Sequence, residues 1–107
     1  MPDNVYVPMS LESDRKRREL APEMDAAFRA FSEKVFVEGA LSAKMKQIVA
    51  VAVAHVTQCP YCIKIHTKEA LRSGASQEEL MEAIWIAAEM RAGAAFTHSV
   101  LALKEMV

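Results

Sequence analysis

The stretch His55-Val-Thr-Gln-Cys-Pro-Tyr-Cys-Ile-Lys-Ile-His-Thr-Lys-Glu-Ala70 holds both cysteines of the chain in one Cys-x-x-Cys pattern. Pro60 directly follows Cys59, and proline is favoured at the first position of a helix. The stretch therefore predicts a helix that begins at Pro60, with Cys59 as its N-cap and Cys62 at its third position. Because His66 follows Cys62 by four residues, the two side chains share one face of that helix.

This arrangement is suited to thiol chemistry. A helix N-terminus carries partial positive charge and free N–H groups, which favour a thiolate. A histidine one turn further on can take the thiol proton, and the other cysteine can trap an oxidised thiol as a disulfide. We therefore predict that Cys62 is the nucleophile, His66 its base and Cys59 the resolving thiol.

A metal site is a second interpretation, because the stretch supplies four possible ligands: His55, Cys59, Cys62 and His66. On one continuous helix these residues would spread over about 16 Å, too far to meet a single ion. A break at Pro60 would bring them closer, so zinc is disfavoured but stays open. A third interpretation is that the cysteines only pack. We predict neither a metal nor a cofactor.

Cys59-Pro-Tyr-Cys62 also resembles the active-site tetrapeptide of glutaredoxins. That fold alternates strands with helices and needs a cis-proline opposite the disulfide. After Pro60 this chain contains no proline, and no run of β-branched residues follows Cys62. The context therefore argues against a glutaredoxin and favours an all-helical fold.

The sequence before this stretch has the pattern of three helices. Ser10, Pro22 and Ser42 are residue types that begin helices. Gly39 is predicted to end the second helix, since glycine best tolerates a left-handed C-terminal conformation. The predicted helices span about residues 11–19, 22–37 and 43–57, after an extended arm over 1–9. The second helix has an apolar stripe of Met24, Phe28, Phe31, Val35 and Phe36, and the third is apolar on every side over Ile48–Ala54.

Two further helices are predicted after Gly74, which ends the cysteine-bearing helix at about Arg72. Ser76 and Glu79 form a Ser-x-x-Glu capping box. The next helix runs from Gln77 to about Arg91, with one side formed by Leu80, Ile84, Ala87 and Ala88. The segment 92–95 is expected to kink this helix or to separate it from a last helix that reaches about Glu105. The predicted fold is an all-α, single-domain bundle of about six helices.

Composition limits the classes of partner. A chain of 107 residues forms one domain, and an apolar fraction of 52% is more than a small monomer easily hides. We therefore expect a homo-oligomer.

A net charge of −1 gives no basic surface for nucleic acid, and the longest apolar run is far short of the about 20 residues that a membrane span needs. Without a signal pattern at the N-terminus, we expect a cytoplasmic protein with neither nucleic-acid nor membrane partners.

Over about residues 22–105 the chain resembles the carboxymuconolactone decarboxylase superfamily, in its alkylhydroperoxidase D-like branch. The resemblance rests on four features of this sequence: Leu41-Ser42-x-Lys44-x-Lys46, the alanine-rich helix after it, Cys59-x-x-Cys62-x-x-x-His66, and Ala70-Leu71-x-x-Gly74-Ala75-Ser76-x-Glu78-Glu79. It implies an all-helical core over 22–105, and the arm and short helix predicted over 1–21 precede that core. It also implies assembly as trimers or hexamers.

The resemblance also implies roles for individual residues. Cys62 would be the peroxidatic cysteine and Cys59 the resolving one, with His66 in a proton relay that activates Cys62. The branch completes this relay with a glutamate twelve residues before the first cysteine, and this chain has Gln47 there. Glutamine can orient a water or His66 by hydrogen bonding, but it cannot take a proton. Glu69, on the His66 side of the same helix, is an alternative acid.

We therefore predict a thiol-dependent peroxidase or disulfide oxidoreductase that consumes a small peroxide and is restored by an external dithiol reductant. A non-catalytic oligomeric redox sensor or interaction module is the alternative. A carboxymuconolactone decarboxylase-type lyase comes third, because the lactone decarboxylases lack the cysteine pair. His55 and His98 are expected to be packing or surface residues.

Overall fold

The computed structural model describes residues 7–107, and within them the chain forms five α-helices and no strand. The all-α prediction is confirmed, with five helices in place of about six. Residues 7–9 have no regular structure, and the rest of the predicted arm lies outside the described residues. The helices are α1 (Leu11–Leu20), α2 (Pro22–Phe36), α3 (Ala43–Thr57), α4 (Pro60–Arg72) and α5 (Gln77–Glu105).

Local capping interactions set where these helices begin. The Ser42 hydroxyl accepts the backbone N–H of Met45 at 3.0 Å. At the start of α5, the Ser76 hydroxyl accepts the N–H of Glu79 at 3.0 Å, and the Glu79 carboxylate accepts the N–H of Ser76 at 2.8 Å. Each bond satisfies an amide that has no partner inside its helix. The predicted starts at Ser42 and Ser76 are confirmed.

Two predicted helix ends are wrong. The helix α2 ends at Phe36, and Val37 leaves it in an extended conformation with φ −71° and ψ 154°. No left-handed residue is needed there, and the N–H of Gly39 instead donates to the carbonyl of Leu41 at 3.0 Å. The separate last helix is also absent, because α5 runs through Gly93 to Glu105. The alanines on both sides of Gly93 are the best helix formers and offset its cost of about 1 kcal/mol.

Contacts divide the chain into two compact units, of which the first ends at Val37. In its described part, the Arg29 guanidinium donates to Asp14 at 2.6 Å and to Asp25 at 2.7 Å. Asp25 is buried, so this ion pair compensates a charge that would otherwise be costly to desolvate. The apolar stripe of α2 is largely exposed, with Phe28 at 68%. The prediction of one domain over 1–107 stays a prediction.

The second unit, from Glu38 onward, has α3 at its centre, packed against both α4 and α5. Half of its core cluster is alanine, which lets helices approach closely: Ile48, Val51, Ala70, Ala75, Leu80 and Ala83. On α5 the buried positions are Leu80, Ala83 and Ala87. Ala88, predicted on that side, is exposed. Within residues 7–107, no helix is both long enough and apolar enough to cross a membrane.

Candidate redox site

Cys59 lies in the turn between α3 and α4. Gln58 follows the last residue of α3 and is left-handed, with φ 59° and ψ 46°. This conformation costs a non-glycine residue roughly 1–2 kcal/mol. The amides of Gln58 and Cys59 both donate to the carbonyl of Ala54, and these bonds close the turn. Cys59 then becomes the N-cap of α4 and Pro60 its first residue, as predicted.

The two cysteines form a disulfide, with their Cα atoms 5.3 Å apart. The backbone N–H of Cys62 donates to the Cys59 sulfur at 3.2 Å. The partial positive charge of the α4 N-terminus favours a thiolate within this pair when the disulfide is reduced. Both cysteines are half-buried.

Gln47 and His66 make a direct contact between α3 and α4. The His66 Nδ1 lies 2.8 Å from the Gln47 Oε1, and the two residues are 19 apart in sequence. Because an amide oxygen only accepts, Nδ1 carries the proton and Nε2 carries the basic lone pair. The residue at the predicted relay position therefore touches the predicted base.

The environment of His66 favours the neutral form of its imidazole. Burial lowers the pKa of His66 from its ordinary value of 6.5, and the negative charge of Glu69 opposes this change. Glu69 is itself held by Arg72, whose guanidinium donates to it at 2.6 Å. Glu69 therefore acts on His66 through charge, while its carboxylate is engaged with Arg72. A neutral histidine at neutral pH is the form that can accept a thiol proton.

The other two histidines have different surroundings. The Nδ1 of His55 donates to the carbonyl of Val51 at 2.7 Å, within α3. His98 is exposed on α5. The described part of the chain has no group of three or more His, Cys, Asp or Glu side chains that could hold a metal ion; of the four residues considered as ligands, Cys59 and Cys62 are joined by the disulfide.

One residue near the site has no local sequence signal. The Arg91 guanidinium, on α5, donates to the carbonyl of Val56 at 2.7 Å across 35 residues of sequence. Val56 lies in the last turn of α3, three residues before Cys59. The sequence does not reveal this contact, because it depends on how α5 packs against α3.

Comparison with known proteins identifies the family. The sequence model of the carboxymuconolactone decarboxylase family matches residues 22–105. The chain belongs to this family. The matched segment begins at the first residue of α2 and ends at the last residue of α5. All four predicted site residues of this carboxymuconolactone decarboxylase family member lie inside it: Gln47, Cys59, Cys62 and His66.

Relatives of this family member include proteins of known structure. A Paracoccus denitrificans protein named uncharacterized protein 4 in cox locus is 61% identical over 80 residues, which cover 75% of this chain and 72% of that protein. A carboxymuconolactone decarboxylase family protein from Legionella pneumophila is 31% identical with a TM-score of 0.72, covering 87% of this chain and 83% of that one. A Thermotoga maritima family protein, described with a suggested role in antioxidative response, shares the fold at 22% identity and a TM-score of 0.54, covering 94% and 100%.

Proposed function

We propose that this family member is a thiol-dependent peroxidase or disulfide oxidoreductase with Cys62 as the nucleophile. The observation that carries the proposal is the Cys59–Cys62 disulfide at the N-terminus of α4. A histidine one turn further along the same helix supports it, because burial favours the neutral form of that imidazole. The antioxidative role suggested for the Thermotoga maritima protein points in the same direction.

The proposed cycle has three balanced steps. His66 takes the proton of Cys62, and the thiolate attacks the terminal, hydrogen-bearing oxygen of a peroxide ROOH. The O–O bond breaks, Cys62 becomes a sulfenic acid, and the leaving alkoxide takes the proton from His66 as ROH. The thiol of Cys59 then condenses with the sulfenic acid, releasing water and forming the disulfide. An external dithiol reduces the disulfide by exchange and is itself oxidised.

Gln47 limits this cycle in a specific way. Its amide oxygen fixes the tautomer and orientation of His66, so that Nε2 is the proton acceptor. An amide stabilises an imidazolium less than a carboxylate does, and it cannot pass the proton onward. We therefore propose slower peroxide turnover than a glutamate at this position would support.

The presence of Gln47 in place of a glutamate favours one alternative, a redox sensor or interaction module that uses the disulfide without rapid turnover. A lyase of the carboxymuconolactone decarboxylase type comes third, because the cysteine pair has no part in that reaction.

A peroxide-consumption assay with dithiothreitol separates these possibilities. The variant Cys62→Ser is expected to abolish turnover of hydrogen peroxide, because the nucleophile is gone. Because dithiothreitol itself reduces a sulfenic acid, Cys59→Ser is examined without it: one equivalent of hydrogen peroxide is expected to leave a sulfenic acid at Cys62 that reacts with dimedone, whereas wild type forms the disulfide. If wild type and both variants consume peroxide only at the uncatalysed rate, the sensor interpretation replaces the enzymatic one.

We also propose that the protein acts as a homo-oligomer, a trimer or hexamer by its family resemblance. The helix α5 is about 43 Å long, yet its buried residues occupy only Leu80–Ala87. Large apolar side chains beyond that point are exposed: Met90, Phe96, Val100, Leu101, Leu103 and Met106. A helix with such exposed apolar surface needs a partner to cover it, and we propose that a second copy of the chain does so.

A further inference from the structure

We propose that Arg91 is a positioning residue for the resolving thiol. Its guanidinium holds the turn between α3 and α4 in the shape that keeps Cys59 beside Cys62. The inference rests on the proposed function, since Cys59 has a resolving role only if Cys62 is oxidised. It adds to that function a residue from α5, a helix outside the Cys-x-x-Cys segment.

The contact takes up a carbonyl that the sequence of the turn leaves without a helical partner. The carbonyl of Val56 would find its helical partner in the N–H four residues later, but that residue is Pro60, which has no N–H. The Arg91 guanidinium donates to this carbonyl at 2.7 Å. The C-terminal end of a helix also favours a positive charge. Arg91 thus satisfies a backbone group that the turn itself leaves without an amide partner.

The turn has a backbone conformation that needs such support. Gln58 has φ 59° and is the single non-glycine residue with positive φ in the described part of the chain. Within the turn, the Ala54 carbonyl accepts the amides of Gln58 and Cys59. The Arg91 guanidinium, from α5, donates to the Val56 carbonyl of the same turn. These bonds together hold the backbone that places Cys59 next to Cys62.

The charge of Arg91 is available for this role. Among residues 7–107, no carboxylate lies within 4.0 Å of its guanidinium. The segment 39–68, which contains α3, the turn and most of α4, has no Asp or Glu at all. Arg91 therefore has no competing ion pair that would draw it away from the Val56 carbonyl.

Loss of the Arg91 contact should affect one chemical step, the formation of the disulfide. After Cys62 has become a sulfenic acid, the Cys59 sulfur must reach the Cys62 sulfur, form the S–S bond and release water. A loosened turn lets Cys59 sample positions from which this attack fails. Formation of the sulfenic acid depends instead on Cys62, His66 and Gln47, which lie within α3 and α4. Arg91 should therefore govern disulfide closure and leave the peroxide step unchanged.

The test follows the lifetime of the sulfenic acid after one equivalent of hydrogen peroxide, by dimedone labelling and mass spectrometry. Arg91→Gln should prolong it on the order of tenfold, which corresponds to loss of one hydrogen bond to a charged group. Arg91→Lys, which keeps the charge, should lie between this variant and wild type. Lys104→Gln removes a different cation from α5 and should match wild type. A wild-type lifetime in Arg91→Gln overturns the proposal.

A background of Cys59→Ser distinguishes positioning from general damage. In that background Arg91→Gln should leave the rate of sulfenic acid formation unchanged. If Arg91→Gln lowers the rate of sulfenic acid formation as much as it lowers the rate of disulfide formation, the proposal is overturned, because such a result indicates a disturbed fold. Adding Gln58→Gly to Arg91→Gln should shorten the lifetime again, since glycine adopts the left-handed turn at little steric cost. No recovery contradicts a role for Arg91 in supporting this turn.

An equilibrium measurement keeps the inference testable if the proposed function fails. Should Cys59→Ser form no sulfenic acid, the peroxidase proposal is wrong, but the wild-type disulfide can still be titrated against reduced and oxidised dithiothreitol. Arg91→Gln should make the Cys59–Cys62 disulfide easier to reduce, because the freed turn lowers the effective concentration of one thiol at the other. Equal equilibrium constants for Arg91→Gln and wild type overturn the positioning role.

Discussion

The Nδ1 of His66 donates a 2.8 Å hydrogen bond to the Oε1 of Gln47, and this bond joins α4 to α3 beside the cysteine pair. It orients the imidazole and assigns its proton to Nδ1 without supplying a second proton acceptor. The proposed base is therefore oriented by an amide and not by a carboxylate.

Replacing Gln47 by glutamate should strengthen this base. The carboxylate at Nδ1–H favours the imidazolium and raises the pKa of His66, so peroxide turnover should rise on the order of tenfold. Steady-state assays with hydrogen peroxide and dithiothreitol measure the effect. Gln77→Glu makes the same chemical change in the first turn of α5 and should leave turnover unchanged. Equal rates for wild type and Gln47→Glu would remove Gln47 from the mechanism.

The stability of the protein should depend on pH through His66. Because burial lowers its pKa from 6.5 in the folded chain, the unfolded chain binds this proton at a higher pH, and acid favours unfolding. The free energy of unfolding should be highest above about pH 6.5. It should decrease as the pH falls below that value, until the pH is below the folded pKa.

Urea unfolding at a series of pH values measures this dependence. His66→Asn should lack this component of the dependence, whereas His98→Asn, at an exposed position, should keep it. An unchanged dependence in His66→Asn would assign the acid sensitivity to other groups.

The centre of the second unit should be sensitive to loss of volume. Val51 is fully buried at 0% exposure, whereas Val53 on the same helix is 51% exposed. Val51→Ala should lower the free energy of unfolding by about 2–3 kcal/mol, through lost burial and the cavity left behind. Val53→Ala should change it by less than about 0.5 kcal/mol. Similar losses in both variants would contradict the assigned packing of α3.

A charge on the exposed apolar part of α5 should break the proposed oligomer. Phe96 is 82% exposed in the single chain, and in an assembly that covers α5 its ring would be buried. Phe96→Asp should therefore shift the mass measured by light scattering toward the monomer, because an unpaired carboxylate is costly to bury. Glu82→Gln changes the net charge by the same magnitude and should keep the wild-type mass. An unchanged mass in Phe96→Asp would exclude this part of α5 from the interface.

The sequence by itself determined the all-α class, most helix bounds and the position of Cys59 at the start of α4. These features depend on interactions within about four residues, such as the Ser42 and Ser76 caps and the proline at position 60. The same local reasoning failed at Gly39 and Gly93. The helix α2 ends before Gly39 because Val37 is already extended, and α5 continues through Gly93. Neither glycine has a left-handed conformation.

The tertiary structure alone decided which side chains meet. The bond between Gln47 and His66 spans 19 residues, and the bond from Arg91 to Val56 spans 35. The family resemblance pointed to Gln47 as the relay position, but the contact itself depends on the packing of α4 against α3. Arg91 had no local signal, because a long side chain on a helix surface finds a backbone carbonyl only after α5 has packed against α3. Contacts of this kind follow from packing, which short-range sequence patterns do not encode.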